Sequence, residues 1–559
     1  MSSPELISEA QLTEFNRTIA RWTRLSGTPD EREAAAYVEE QLRSFGYAAQ
    51  TIVHDAYISL PGAASLAVVR PESRDVPCIT HSMGIPTGPG GVAAELVYAG
   101  KGTPEDYAHA GNAAGKVALV EGRATPQHAV NATRAGVLGL ICISGRHAHE
   151  MCCSPVWGNP SETTKDALPR VHLLSVNRGD GEALRGLCGR GPVEVRFTAD
   201  VRTGWTATPI VVGDLAPGHP DAEPAFVLFS GHLDGWYLGA MDNGSANAAM
   251  LEVARVLAPQ RAAFRRGLRL AFWSGHSHGR YSSSAWYADT NWFDLADRCV
   301  CHVNVDSLGG IDADTFATNS MPETAPLGIW AVREAAGAAL DARRVGRNSD
   351  QSFLGAGVPS LLGSVSHQAD GSLGWWWHTP YDTLDKIDPA RLVRDTKIFV
   401  LAISRLLADP VLPLDYAAAS RNLTQSLEGL AVAATAGGLD LRAVTAEAAR
   451  LQELCGRLSQ AAASVTGGPR AREINTCLRR VGRALISATY TASGPFAHDP
   501  ALETTFLPRL AGVRRLAALP PGSDEAKFLR VDLVRGRNAV TAAIQEACRH
   551  LDACLERLG

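Results

Sequence analysis

Hydrophobic rhythm changes three times along the chain. Near the start, LTEFNRTIARWTRL sets apolar residues at helical spacing. SGTPDEREAAAYVEEQLRSFG follows, with a proline at a helix start and a glycine at its stop. The pattern predicts helices through residues 12–48 and then a strand, QTIVHDAYISL, ending at Pro61. From 62 to 202, short β-branched runs (AAELVYAG, GKVALVEG, AGVLGLICISG) alternate with Gly and Pro breaks, and TPQHAVNATRAG reads as a short helix. The tail of this stretch, SGRHAHEMCCSPVWGNPSETTKDALPR, has little periodicity; a loop so long in a compact protein is usually functional or mobile.

From 203 to 408 the apolar runs AFVLFSGH, LRLAFWSG, CVCHVNVDSLG and VPSLLGSV alternate with the amphipathic stretches ANAAMLEVARVLA, PLGIWAVREAAGAALDARRV and PARLVRDTKIFVLAISRLLA. Continuous apolar strands between helices imply a largely parallel sheet covered on both faces. After 408, four or so helices rich in Ala, Leu, Arg and Glu predict a bundle. The expected fold class is α/β. A mixed, mostly parallel sheet domain is split into 1–61 and 203–408, with a β-rich insert at 62–202 and a helical domain at 409–559.

A chain of 559 residues suits about three domains. Basic and acidic side chains number 53 and 58, a net charge of -5, which leaves no electrostatic footprint for nucleic acid. No run of about 18 apolar residues suggests a membrane span. The start, MSSPELISEAQLTEFNR, lacks the basic and apolar regions of a signal peptide, so the expected address is the cytoplasm. Eleven cysteines, an odd number without zinc-site spacing, read as reduced thiols.

Sites in open α/β sheets form at the carboxyl ends of the strands. His232-Leu233-Asp234 and Met241-Asp242-Asn243-Gly244 follow the first buried strand, Asn304-Val305-Asp306 the third, and Trp377-His378-Thr379-Pro380 the last. Imidazole and carboxylate in this arrangement suit zinc and similar divalent ions. Asp234 stands where it can accept the other ring N–H of His232 and fix its tautomer. A competing motif overlaps the second strand's end: Gly275-His276-Ser277-His278-Gly279 satisfies G-x-S-x-G, with Ser277 as nucleophile and Asp306 and His378 in triad order. That alternative leaves His232 and Asp242 without a role. Gly88-Pro89-Gly90-Gly91 reads as a turn, because no Lys-Ser/Thr follows.

The strings SGHLDGWYLGAMDNGSANAAMLE, FWSGHSHGRYSSSAWYA, VNVDSLGG, NSDQSFLGAGVPSLL and HTPYDTLDKIDP together resemble the zinc-dependent aminopeptidase, glutamate carboxypeptidase and transferrin receptor superfamily. The resemblance implies one or two metal ions, zinc before Fe, Mn, Co or Ni. One ion would take His232, Asp242 and Asp306; the other would share Asp242 and add a glutamate and His378. It also implies that GKVALVEG and ATRAGVLGLICIS belong to a protease-associated insert, that the helical domain makes a homodimer, and that the Asp242–Asn243 peptide is cis. Loops of such an insert close over the site, so Arg146, His147 and His149 are candidate lining residues, as are tryptophans 375–377.

This sequence departs from the family pattern where a Glu-Glu pair should follow FW-x-G. His276 takes the place of the general base and Ser277 that of a metal ligand; His276 or His278 could bind metal instead. Trp377 replaces a frequent Tyr, and Gln351 a frequent His. Arg344, Arg347 and Asp350 fall near the position where carboxypeptidases hold a substrate carboxylate. The expected function is metal-dependent hydrolysis of an amide or peptide bond in a small substrate, with His276 handling the proton. Beside the serine hydrolase stand two further alternatives: a non-catalytic receptor-like dimer, and non-peptide chemistry at an altered metal site.

Overall fold

The computed structural model describes residues 3–342, 347 and 349–559. Four neighbouring parallel strands form the heart of the main sheet, in the order Ser360–Gly363, Cys299–Val305, Phe226–His232, Gly267–Trp273. Every residue of Phe226–His232 and Cys299–Val305 is buried, which is why these strands are apolar throughout rather than alternating. One face is covered by the N-terminal helices Glu9–Ile19 and Pro29–Ser44 together with Ala246–Leu257 and Pro389–Ala408. Leu12, Phe15, Ile19, Val38, Leu42, Met250 and Phe399 join their core. Ser8 caps the first helix by accepting the Gln11 amide, and Pro29 opens the second.

The strand expected to end at Pro61 runs on. Ala48–Arg70 pairs antiparallel with Val193–Leu215, 23 residues each. Pro61 keeps its place opposite Val201, and an irregularity between Pro61 and Ala64 absorbs the lost ladder bond. The resulting ribbon crosses residues 61 and 202 without a break. Its inner half borders Gly267–Trp273, and its outer half pairs with Val92–Tyr98. From there the sheet continues through three parallel strands, Val117–Glu121, Gly139–Ile143 and His172–Val176. The short helix expected in this region is Pro126–Ala135, closed by Gly136 at φ +70°.

The helix expected over 326–345 is shorter, Ala325–Ala336. Gly337 takes a left-handed cap at φ +63°, and the chain turns into the short strand Asp341–Ala342. The C-terminal region is a bundle of Tyr416–Ala436, Arg442–Ala462, Gly468–Tyr490 and Asp524–Leu558. Among the described residues no helix is long and apolar enough to cross a membrane.

Arg483 joins the bundle to the sheet domain. Its guanidinium donates to the carbonyls of Leu295, Ala296, Cys299 and Gly357, all outside the bundle. Buried carbonyls left without a donor are costly, so Arg483→Met is expected to lose about 3 kcal/mol. A fall of several degrees in the thermal unfolding midpoint, with secondary structure intact at low temperature, is the measurement that checks it.

Candidate metal centre

Three adjacent parallel strands end on one edge and deliver the first donors. His232 is the last residue of its strand, Asp306 follows Val305, and His276 starts a single helical turn after Trp273. That turn needs Gly275: its φ is +65°, and a side chain there would meet Ser282 Oγ at 1.9 Å. His232, His276 and Asp306 each offer a possible ligand atom, and the three lie within 4.8 Å of one another, so a divalent metal could sit among them with His276 either as a ligand or as a base beside it. The His232 and His276 rings stack, centroids 3.7 Å apart.

Asp242 reaches the same cluster from the turn 240–245. The Met241 and Asp242 amides donate to the two carboxylate oxygens of Asp382, at 2.8 and 3.0 Å. The Asp242–Asn243 peptide is cis, as expected. Asp242 Oδ1 lies 3.0 Å from His232 Nε2, and Asp242 Oδ2 lies 2.9 Å from His378 Nε2. Asp306 Oδ1 is 3.7 Å from His232 Nε2.

The outer nitrogens of these rings are committed. His232 Nδ1 donates to the Asp234 carbonyl at 2.7 Å, so the tautomer is fixed by backbone; the Asp234 carboxylate stands 3.7 Å away. That carboxylate instead caps the 276–279 turn, accepting the His276 and Ser277 amides and the Ser26 hydroxyl. His276 Nδ1 donates to Asp350 at 2.8 Å, and His378 Nδ1 to the Glu150 carbonyl at 2.6 Å. Each ring therefore turns a bare Nε2 toward the cluster.

These residues fit a cation. His232 Nε2 and Asp242 Oδ1 are buried and face each other at 3.0 Å, and among the described residues neither has a hydrogen-bond partner. Burial opposes charge on His232, yet Asp242 and Asp306 outweigh it and hold the imidazole well above its usual pKa. Burial likewise opposes an ionised Asp242, while His232 and His378 hold its carboxyl well below the usual range. The cluster thus favours positive charge between the His232 ring and the two carboxylates, as a cation site requires.

The other sequence candidates are placed as follows. Asp350 is fully buried beneath His276, where it also accepts the Ser284 hydroxyl. Arg347 lies over the Trp157 ring at 3.8 Å and donates to the Asp499 and Pro500 carbonyls. Arg344 lies outside the described residues. Gln351 is buried and donates to Ser360. Trp377 stacks on His378 at 3.5 Å, Trp376 is buried against Met241, and Trp375 is half exposed beside His147 and Arg146. His278 Nδ1 lies 2.9 Å from Ser26 Oγ, and its Nε2 has no partner among the described residues.

Ser277 Oγ is buried and also meets no partner among the described residues, histidine nitrogens included. Positive φ falls on Gly275, Arg280 and Tyr281, not on Ser277, so the strained elbow of a serine hydrolase is not formed here. Sequence reading missed three supporting groups. Asp382 lay in the HTPYDTLDKIDP string without a role, and Glu150 in the aperiodic tail at 144–170. Arg24 had no local signal; it is wholly buried and donates to the carbonyls of Ile19, Trp22, Leu233, Leu238 and Gly239.

Comparison with known proteins agrees with this geometry. Residues 211–403 match the profile of peptidase family M28. A probable glutamate carboxypeptidase, VP8 of Zea mays, is 26% identical over 510 residues, covering 75% of this chain and 70% of its own. Aminopeptidase YwaD of Bacillus subtilis (strain 168) is 25% identical over 394 residues, 68% of this chain and 80% of its own. Among solved structures, a peptidase M28 precursor from Shewanella amazonensis superposes with a TM-score of 0.60 at 19% identity, over 73% of this chain and 96% of that one. The aminopeptidase from Aneurinibacillus sp. strain AM-1 gives 0.57 at 22%, over 74% and 96%. The fold is that of the zinc-dependent M28 aminopeptidases and carboxypeptidases. With its donor triad, this chain is a metal-dependent hydrolase acting on a small substrate.

Zinc competes with protons for His232, whose imidazole is held above its usual pKa. Zinc affinity is therefore expected to rise with pH, by up to about tenfold per pH unit where one proton leaves per ion bound. Zinc titration against a chromophoric chelator at several pH values checks this; a flat profile would contradict it.

Proposed function

We propose that the protein hydrolyses an amide or peptide bond in a small peptide-like substrate, with His276 as the proton-transfer group. One observation carries the assignment: the 2.8 Å bond from His276 Nδ1 to buried Asp350. It fixes the tautomer, leaves the Nε2 lone pair facing the donor cluster, and stabilises the imidazolium that forms when a water proton is taken. His232, Asp242, Asp306 and His378 would hold zinc. When bound, zinc would polarise the scissile carbonyl and acidify water. His276 Nε2 then accepts the proton and returns it to the leaving amine. A cavity of 310 Å³ beside Asp306, walled by Asn304, Thr318, Gln351 and His367, is at the small end of the range for ligand sites and suits one side chain.

The finer architecture belongs to the same reading. Residues 62–202 are taken as a protease-associated insert, supported by the sequence resemblance and by the approach of residues 149–150 to the centre. The helical domain is taken as a homodimer surface, supported by the exposed Val432, Phe528 and Val531 on its helices. All eleven cysteines are free thiols, which supports a reducing, cytoplasmic compartment.

His276→Gln is expected to lower kcat/KM by roughly 10²–10⁴ while the zinc content of the purified protein stays at the wild-type value. Steady-state kinetics on dipeptides and elemental analysis are read together. Loss of zinc in the variant would make His276 a ligand and overturn its assignment to proton transfer.

A further inference from the structure

His378 differs from the other donors in what holds it. His232 and Asp306 stand at the ends of buried strands, and the Asp242 turn is gripped by Asp382. His378 lies in a run of turns between 374 and 383, with φ at +57°, a left-handed conformation that a non-glycine residue keeps only when its surroundings impose it. The turns around it close on themselves: Trp377 N donates to Gly374 O, and Thr379 N to Trp376 O.

Asp382 and Trp376 tie this run to the 240–245 turn, while the part at Trp377 and His378 is held by the inserted segment, more than 200 residues away in sequence. Glu150 makes two backbone bonds to His378: it accepts from Nδ1 at 2.6 Å and donates its amide to the His378 carbonyl at 2.9 Å. His149 completes the attachment with a side chain, its Nδ1 donating to the Trp377 carbonyl at 2.5 Å. That carbonyl belongs to the peptide plane entering His378. Holding it sets the φ of His378 and with it the direction of the imidazole. His149 itself is buried, and a carbonyl can only accept, so the proton must sit on Nδ1.

We propose that His149 is a positioning residue for His378, through which the inserted domain sets the metal affinity of the centre. His149 Nδ1 is taken up by the Trp377 carbonyl rather than turned to the donor cluster. Its contribution is to hold the Trp377–His378 peptide in the one orientation that aims Nε2 at Asp242. The proposal rests on the metal-site reading given above.

The test uses the full-length protein and zinc alone, with affinity measured by competition against a chromophoric chelator. His149→Phe keeps the ring and loses the donor; it is expected to weaken zinc binding roughly 10–100-fold, the usual effect of losing a group that orients a ligand. His149→Asn, whose amide can place an N–H close to the Nδ1 position, is expected to recover most of that loss. Thermal unfolding of the metal-free proteins is measured in parallel, and His149→Ser replaces the Phe variant if that one does not fold. Unchanged zinc affinity in the donor-less variant overturns the proposal. So does an equal loss in the Asn and Phe variants, which would point to packing alone. If the wild-type protein binds no zinc, the metal-site reading fails and the proposal with it. If the wild type binds and the variants match it, only the proposal fails.

Discussion

Four carboxylates crowd one edge of the sheet, and the surrounding structure is arranged to make that tolerable. Asp234, Asp242 and Asp382 are buried and Asp306 nearly so. An ionised carboxylate in such a place needs partners of opposite charge or directed N–H groups. Asp234 and Asp382 are served by backbone amides, which also fold the 276–279 and 240–245 turns. Asp242 and Asp306 are left facing imidazole nitrogens. Compensation is thus divided: one pair of acids shapes the chain, and the other pair faces the histidines.

Irregular backbone near the sheet meets a second shared solution. Loops that leave strand ends have carbonyls with no ladder to join, and a guanidinium can satisfy several at once because its donors are fixed in a fork. Arg24 does this for the segment between His232 and Asp242. Arg266 does it for Leu406, Asp409 and Pro410, at the passage from the sheet domain into the bundle. Arg483 does it where the bundle docks. Arg24 and Arg266 are fully buried and Arg483 partly so, and desolvation depresses the pKa of each, to about 10 for Arg24, which still leaves it charged near neutrality.

Much of this was legible in the amino-acid order because the sheet is buried on both faces. Such strands must be apolar throughout, and the residues just past them must be the polar ones. His232, Asp242, Asp306 and His378 were found by that logic, and the structure gathers them at one edge. What escaped depends on contacts between distant segments. Asp350 was placed near a substrate carboxylate from its neighbours in sequence, but a carboxylate buried under an imidazole looks the same in sequence as one on the surface. Arg24 sits in an ordinary helical pattern, and nothing local marks it as the partner of carbonyls two hundred residues on. Pro61 was read as a strand end because proline breaks ladders, and only the pairing across from Val201 shows the ribbon going past it.

That ribbon bears on how the protein can move. Two domains joined by a single-stranded linker can hinge freely, since rotation about a few dihedrals costs little. Here the joint is a pair of strands hydrogen-bonded on either side of the crossing, and one of them, Val193–Leu215, pairs with Gly267–Trp273 on one side and with Val92–Tyr98 on the other. Bending it means bending a ladder. The stiffness of the molecule is therefore concentrated where a hinge would ordinarily be. The segments that carry Trp377 and His149 lie outside that ladder and are joined to each other by the bonds at His378.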